Sequence, residues 1–252
     1  MGRLDGKICI VTGGNSGIGK KTAEIFLKEG GKVVIAARRE DENKKTVDEL
    51  SQYGEISAVE ADLSTSEGCH KAVDFTVDKY GRIDVLINNA GIADKHKPIN
   101  KCDEEWYDYV CKIDQYSVYW MSKYTLVHME KQKKGSIVNI SSIGSQGVAG
   151  ISYSAAKAAV NAMTKNMAIY YSATDIRINA VGPGPTPTPL NAPEAAATFD
   201  ADFAALCGKH IDISLPESDV SDQAYACLFF ASDEAKSVTG QILYVDHGTT
   251  MY

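Results

Sequence analysis

KICIVTGGNSGIGKKTAEIFLKEGG, residues 7–31, runs from a β-rich apolar segment into glycine, then on with Ile18, Thr22, Ile25 and Phe26 near helical spacing and glycine just past the end. It reads as strand, tight turn, helix. The pattern then repeats. KVVIAA (32–37) precedes the polar helical EDENKKTVDELSQYG, ISAVEAD (56–62) precedes EGCHKAVDFTVDKYG, and IDVLINNAG (83–91) ends in a loop. Three further strand candidates, SIVNISS, IRINAVG and GQILYVD, are separated by helical segments of ten or more residues. Apolar strands alternating with helices at this spacing predict an α/β fold, a doubly wound parallel sheet with helices on both faces.

The remaining organisation follows from local chemistry. Residues 103–134 read as one or two helices, ending where KQKKG supplies positive charge and a terminating glycine. GPGPTPTPLNAPEAAATF (182–199) carries five prolines, which predicts no regular element over its first half. It follows a strand, where open α/β sheets keep ligand loops, so a mobile substrate lid over about 186–215 is expected. Without repeat or linker, residues 1–252 read as a single domain.

Composition narrows the function classes. The 252 residues are 44% hydrophobic with a formal net charge of −7, which argues against nucleic-acid or anionic-membrane partners, since both want a basic field. The opening MGRLDGKICIVTGG has no signal-peptide run and no segment reaches the roughly 20 apolar residues of a membrane span, so a soluble cytoplasmic protein is expected. Six scattered cysteines suggest neither zinc nor disulfides, and no metal site is expected; His70, His96, His128 and His210 read as surface or core-edge residues.

TGGNSGIG places Gly13, Asn15, Ser16, Gly17, Ile18 and Gly19 between the first strand and first helix. Glycine permits the tight turn and a close backbone approach, and the helix N-terminus offers free N–H groups to a pyrophosphate. A dinucleotide is the expected ligand. After the second strand, VVIAARRE offers Arg38 and Arg39 where a ribose 2′-hydroxyl would want a carboxylate. An arginine fork suits a 2′-phosphate, so NADP(H) is expected through Arg38 chiefly, with NAD(H) as the alternative. Asp62 could meet the adenine.

TGGNSGIG, NNAG (88–91), YSAAK (153–157) and GPGPTPT (182–188), in this order and spacing, resemble the classical short-chain dehydrogenase/reductase (SDR) family from Leu4 to about Gly248. The resemblance implies a Rossmann-like seven-stranded sheet, a homotetramer or homodimer, no metal in hydride transfer, and interconversion of alcohol and carbonyl with a nicotinamide cofactor. It casts Tyr153, Lys157 and Ser142 as catalytic and Asn89 as lining the cofactor. It adds Asp62, Leu63, Ala90 and Gly91 around adenosine, and Pro183, Gly184, Thr186 and Thr188 beside nicotinamide and phosphate.

Three positions depart from the family pattern. Asp114 stands where a catalytic asparagine is usual; it can accept a hydrogen bond but cannot donate as an amide does, and its charge favours a protonated Lys157. Ser142 lies eleven residues before Tyr153, about two fewer than usual, so Ser141 and Ser145 are alternatives. His247 replaces a usual glycine and is expected near the substrate or a subunit contact.

Tyr153 and Lys157, at i and i+4, share one helix face. A lysine cation about 4 Å from the phenol oxygen would contribute roughly 4 kcal/mol at an effective dielectric near 20, nominally about three pKa units before desolvation. That is enough to make Tyr153 a base in alcohol oxidation, with Ser142 donating to the oxygen. The expected reaction is secondary alcohol to ketone and back. Phe199, Phe203, Leu206 and Ile211 in the lid suit a hydroxysteroid, bile acid or other bulky apolar alcohol. Sugar or polyol alcohols, a nucleotide-sugar epimerase or dehydratase, and a catalytically impaired dinucleotide-binding protein are the alternatives.

Overall fold

The computed structural model describes residues 2–251. Seven parallel strands form one sheet: β1 (Ile8–Thr12), β2 (Lys32–Ala37), β3 (Ile56–Glu60), β4 (Val85–Asn88), β5 (Lys134–Ile140), β6 (Asp175–Pro183) and β7 (Ile242–Val245). Their order is β3-β2-β1-β4-β5-β6-β7, so the chain reverses its direction of travel between β1 and β4. Such a reversal opens a crevice at the carboxyl ends of the strands.

Among the described residues nine α-helices accompany the sheet: α1 (Gly17–Lys28), α2 (Glu40–Leu50), α3 (Ser66–Tyr80), α4 (Glu104–Cys111), α5 (Ser117–Gln132), α6 (Ile151–Tyr170), α7 (Pro193–Ala196), α8 (Ala201–Cys207) and α9 (Val220–Ala231). Strand residues point alternately to the two faces, and the core divides accordingly. Cys9, Val11, Ile35 and Ile87 pack with Phe26 of α1 and Leu228 of α9. Ile10, Val34, Leu86 and Ile137 pack with Val73 of α3, Met121 of α5 and Ala168 of α6. Each fully buried side chain of this size contributes about 1.5–3 kcal/mol.

Two sequence expectations need correction. The long helical stretch ends at Gln132 with Lys133 in the left-handed region (φ 59), whereas Gly135 lies inside β5. A side chain at Gly135 would collide with Met129 Sδ, so that glycine serves strand–helix contact rather than helix termination. The proline-rich segment begins within regular structure, because β6 continues through Gly182 and Pro183; proline fits there at the strand's last position. Beyond it, α7 and α8 and short 3-10 turns at Pro189–Asn191 and Gly208–His210 occupy the expected lid span.

Candidate active site

A cleft of about 730 Å³ lies at the carboxyl edge of the sheet, where β1 and β4 diverge. At one end is the turn between β1 and α1. Gly13 (φ 63) and Gly17 (φ 51) take left-handed conformations that side chains resist, and a side chain at Gly19 would collide with Asn89 Nδ2. Asn89 Nδ2 donates to the Thr12 carbonyl (2.9 Å), while the Thr12 hydroxyl oxygen accepts from the Asn89 and Ala90 amides (2.8 and 2.9 Å). The ends of β1 and β4 are thereby fixed to each other. Ser16, the residue before α1, makes no side-chain cap, and the first turn carries no acid. The unpaired N–H groups and positive helix end suit a phosphate.

Of the residues expected to hold a cofactor, Gly13, Asn15, Ser16, Gly17, Ile18, Arg38, Arg39, Asp62, Leu63, Asn89, Ala90, Gly91, Pro183, Gly184, Thr186 and Thr188 line this cleft, as do Ser142, Tyr153, Lys157 and Asp114. Gly19 does not line it and instead packs behind the turn. Arg38 and Arg39 are exposed where β2 leads into α2. Asp62 accepts from the Ser64 hydroxyl and amide, bonds that hold its carboxyl below the usual range with a smaller push from Arg38.

The other end gathers four chemical groups from three segments. Helix α6 presents Tyr153 and Lys157, and Lys157 Nζ lies 5.4 Å from the Tyr153 ring centroid. Beyond β5, Ser142 Oγ accepts from the Gly144 amide (2.9 Å) and lines the cleft with Tyr153, whose phenol it pulls down slightly. The other two serines are engaged elsewhere. Ser145 bonds instead with Asn161 and Tyr244 outside the cleft, and Ser141 Oγ is turned to the Lys157 carbonyl (3.4 Å). Between α4 and α5 the helix widens to a π-turn at Lys112–Tyr116, which carries Asp114. Such bulges redirect a side chain out of helical register.

Asp114 is 0% exposed and Lys157 3%. Asp114 Oδ1 lies 3.1 Å from Lys157 Nζ, and Oδ2 accepts from the Ile92 amide (3.1 Å). Lys157 Nζ also donates to the Ile140 carbonyl (3.1 Å). Burial penalises the lysine's charge, yet the Asp114 carboxylate holds its pKa above the ordinary value. Burial pushes Asp114 up, with Lys157 and the Ile92 amide pulling back. Tyr153 is likewise pushed up, first by burial; Lys157 opposes this, while Asp114 and Asp94 add to it. Lys157 thus pulls the phenol down as expected, but burial, with Asp114 and Asp94 adding to it, more than offsets that pull.

The sequence reading does not single out Asp94 and gives His96 no place in the site. Asp94 is 3% exposed, and its carboxylate accepts from the Tyr153 amide (3.1 Å), the Ser152 hydroxyl (3.4 Å) and the His96 amide (2.8 Å). It caps α6 from outside, since Gly150 at the cap has no side chain to do so. His96, a half-buried core-edge residue, lines the cleft in a left-handed conformation (φ 46), stacked on Phe199 with centroids 4.4 Å apart. Burial pushes its imidazole below the ordinary value, and Nδ1 is buried without a partner. The signal for both was adjacency to NNAG, which pattern alone does not single out. His247 is exposed with φ 53 and lines no part of the cleft, so its expected approach to substrate is not met.

Among the described residues no cluster could hold a metal, and no helix is long and apolar enough to cross a membrane. A family model described as Enoyl-(Acyl carrier protein) reductase matches residues 13–250. The (+)-borneol dehydrogenase 2 of Salvia officinalis is 36% identical over 256 residues, 98% of this chain and 90% of that protein. The 3beta-hydroxysteroid dehydrogenase 2 of Eggerthella lenta is 33% identical over 261 residues, 99% and 96% of the two chains. The crystal structure of Levodione Reductase is similar with a TM-score of 0.89 at 28% identity, covering 98% of this chain and 99% of that one. Motif order, sheet topology and these likenesses agree: the chain belongs to the short-chain dehydrogenase/reductase family, oxidoreductases of alcohols and ketones that bind nicotinamide dinucleotides.

Proposed function

We propose that the protein is an NADP(H)-dependent oxidoreductase that interconverts a secondary alcohol and a ketone on a bulky apolar skeleton, a hydroxysteroid or a comparable alicyclic alcohol. The observation that carries this reading is the convergence of the Ser142 hydroxyl, the Tyr153 phenol and the Lys157 ammonium on one cleft whose far end is a glycine cradle.

A bound nicotinamide would supply or accept the hydride. The chain's own residues handle the proton. Tyr153 Oη passes it to or takes it from the substrate oxygen, within reach of Ser142. Because Ser142 Oγ already accepts from Gly144, its own hydrogen is free to point at Tyr153 or the substrate oxygen, where negative charge grows. Lys157, fixed by Ile140 and Asp114, is the cation facing the phenol.

Arg38 and Arg39 at the end of β2, where no carboxylate stands, support NADP(H) over NAD(H). Ile143, Val148, Leu190, Phe199 and Ile211 give the substrate end an apolar wall, and relatives named for borneol and a 3beta-hydroxysteroid fit that chemistry. Residues 186–215 act as the lid, held by the Asp200 amide donating to the Lys95 carbonyl (2.9 Å) and by Lys101 paired with Asp200 (2.7 Å). Six free cysteines, five of them buried, fit a cytoplasmic protein. A screen of steroid, terpenoid, sugar and polyol alcohols and ketones with NADP and NAD in parallel tests the reading. Turnover of polyols alone, or higher efficiency with NAD, would reject the respective half.

A further inference from the structure

We propose that Asp114 and Asp94 are positioning residues that offset Lys157 and keep Tyr153 protonated through neutral pH, so that the resting site is a proton donor and a ketone is the substrate form it receives. The inference rests on the oxidoreductase reading above and deepens it.

Lys157 is the one cation of this corner among the described residues, and two buried carboxylates oppose it, one at the lysine itself and one at the Tyr153 backbone. Asp114, 0% exposed, lies 3.1 Å from Lys157 Nζ on the π-turn side; Asp94, 3% exposed, binds the Tyr153 amide itself at 3.1 Å. Asp94 accepts three hydrogen bonds and donates none, the bonding pattern of a carboxylate. The sum before Tyr153 ionises is therefore one negative charge. A phenolate would be a second beside them, and like charges disfavour it.

The other titratable groups facing this corner do not restore the balance. His96, from the Asp94 loop, is held neutral by burial. Cys102 ahead of α4, Tyr107 and Cys111 of α4, and Cys207 of α8 are all pushed up and stay neutral. Lys97 is committed to Asp103 at the surface (3.3 Å). From β5 only the neutral Ser142 reaches Tyr153. An asparagine at position 114, the family's usual residue, would leave one carboxylate against one ammonium.

In the reductive step the carbonyl carbon gains a hydride from a reduced nicotinamide and the carbonyl oxygen gains the Tyr153 proton; the phenolate left behind recovers a proton from solvent. Raising the phenol's pKa does not alter the overall equilibrium. It moves the pH window, so reduction holds its plateau into mildly alkaline solution and oxidation begins only there.

The test is the pH profile of kcat/KM for wild type, Asp114→Asn and Asp94→Asn with a ketone and its alcohol. The alkaline break in reduction should lie above neutrality in wild type and move down by about one pH unit in Asp114→Asn, a tenfold rise in phenolate at fixed pH. Asp94→Asn, which leaves the Lys157 pair intact, should move it down by less. Tyrosinate absorbance of the cofactor-free protein, as wild type minus Tyr153→Phe, should shift in the same direction. A wild-type break at or below neutrality, or one that moves in neither variant, overturns the proposal. If no alcohol or ketone is turned over, the oxidoreductase reading fails, while the absorbance titration still decides the ionisation of Tyr153.

Discussion

Tyr153→Phe removes one oxygen atom and leaves the ring, so folding should persist while turnover falls by about 10²- to 10⁴-fold, the usual range for a proton-transferring side chain. Steady-state rates alongside circular dichroism check this; more than a tenth of wild-type turnover would remove Tyr153 from the proton path. Arg38 is tested by preference rather than rate. Arg38→Ala should cost about 10- to 100-fold in kcat/KM with NADP, the equivalent of one charge-assisted hydrogen bond of about 1.5–3 kcal/mol, and little with NAD. Equal losses with both cofactors would show that Arg38 does not read the 2′-phosphate. These residues were legible because their spacing encodes their geometry: i and i+4 on a helix, and the first residues after a strand. Asp94 was not legible, since only folding brings its loop to the start of α6.

At the scale of elements, α6 is held at its N-terminal end by the loop that crosses it. A side chain at Gly150 would lie 2.7 Å from His96 Cα and collide with Asp94 Oδ2. Gly150→Ala should therefore displace the Asp94 cap, costing about 1–3 kcal/mol of stability as overpacking does and lowering turnover with it. Denaturant titration and rates, read together, check the coupling; a variant as stable and active as wild type would show that the loop does not hold the helix. The turn after β7 carries the opposite kind of feature. His247 sits at φ 53, exposed and outside the cleft, where a side chain is strained. His247→Gly should stabilise the fold by about 1 kcal/mol in a denaturation midpoint without changing KM. A raised KM would return His247 to the substrate.

Over the whole molecule, the α3, α5, α6 face leaves apolar side chains in solvent that the core cannot use. Tyr119 and Val127 on α5 are about half exposed, and Ile169 and Tyr170 on α6 are 74% and 78% exposed. Clusters of this kind mark association surfaces. We propose self-association through this face, as a homodimer or homotetramer, with Ile169→Asp and Tyr170→Asp reducing the mass seen by light scattering. A monomeric wild-type protein would exclude it.

The sequence by itself determined the order of strands and helices, the glycine cradle, and the Tyr153–Lys157 pair, because each depends on periodicity or on contacts a few residues apart. The surroundings of the two departures most open to misreading exist only in three dimensions. Ser142 lines the same cleft as Tyr153 despite its short spacing, with a 3-10 turn at Ile143–Gln146 between them. Asp114 meets Lys157 because a π-turn directs it inward, and Asp94 arrives from a third segment. The ionisation of Tyr153 depends on the sum of these fields, which fall with distance through space and not with separation along the chain. That sum is what the tertiary structure decided.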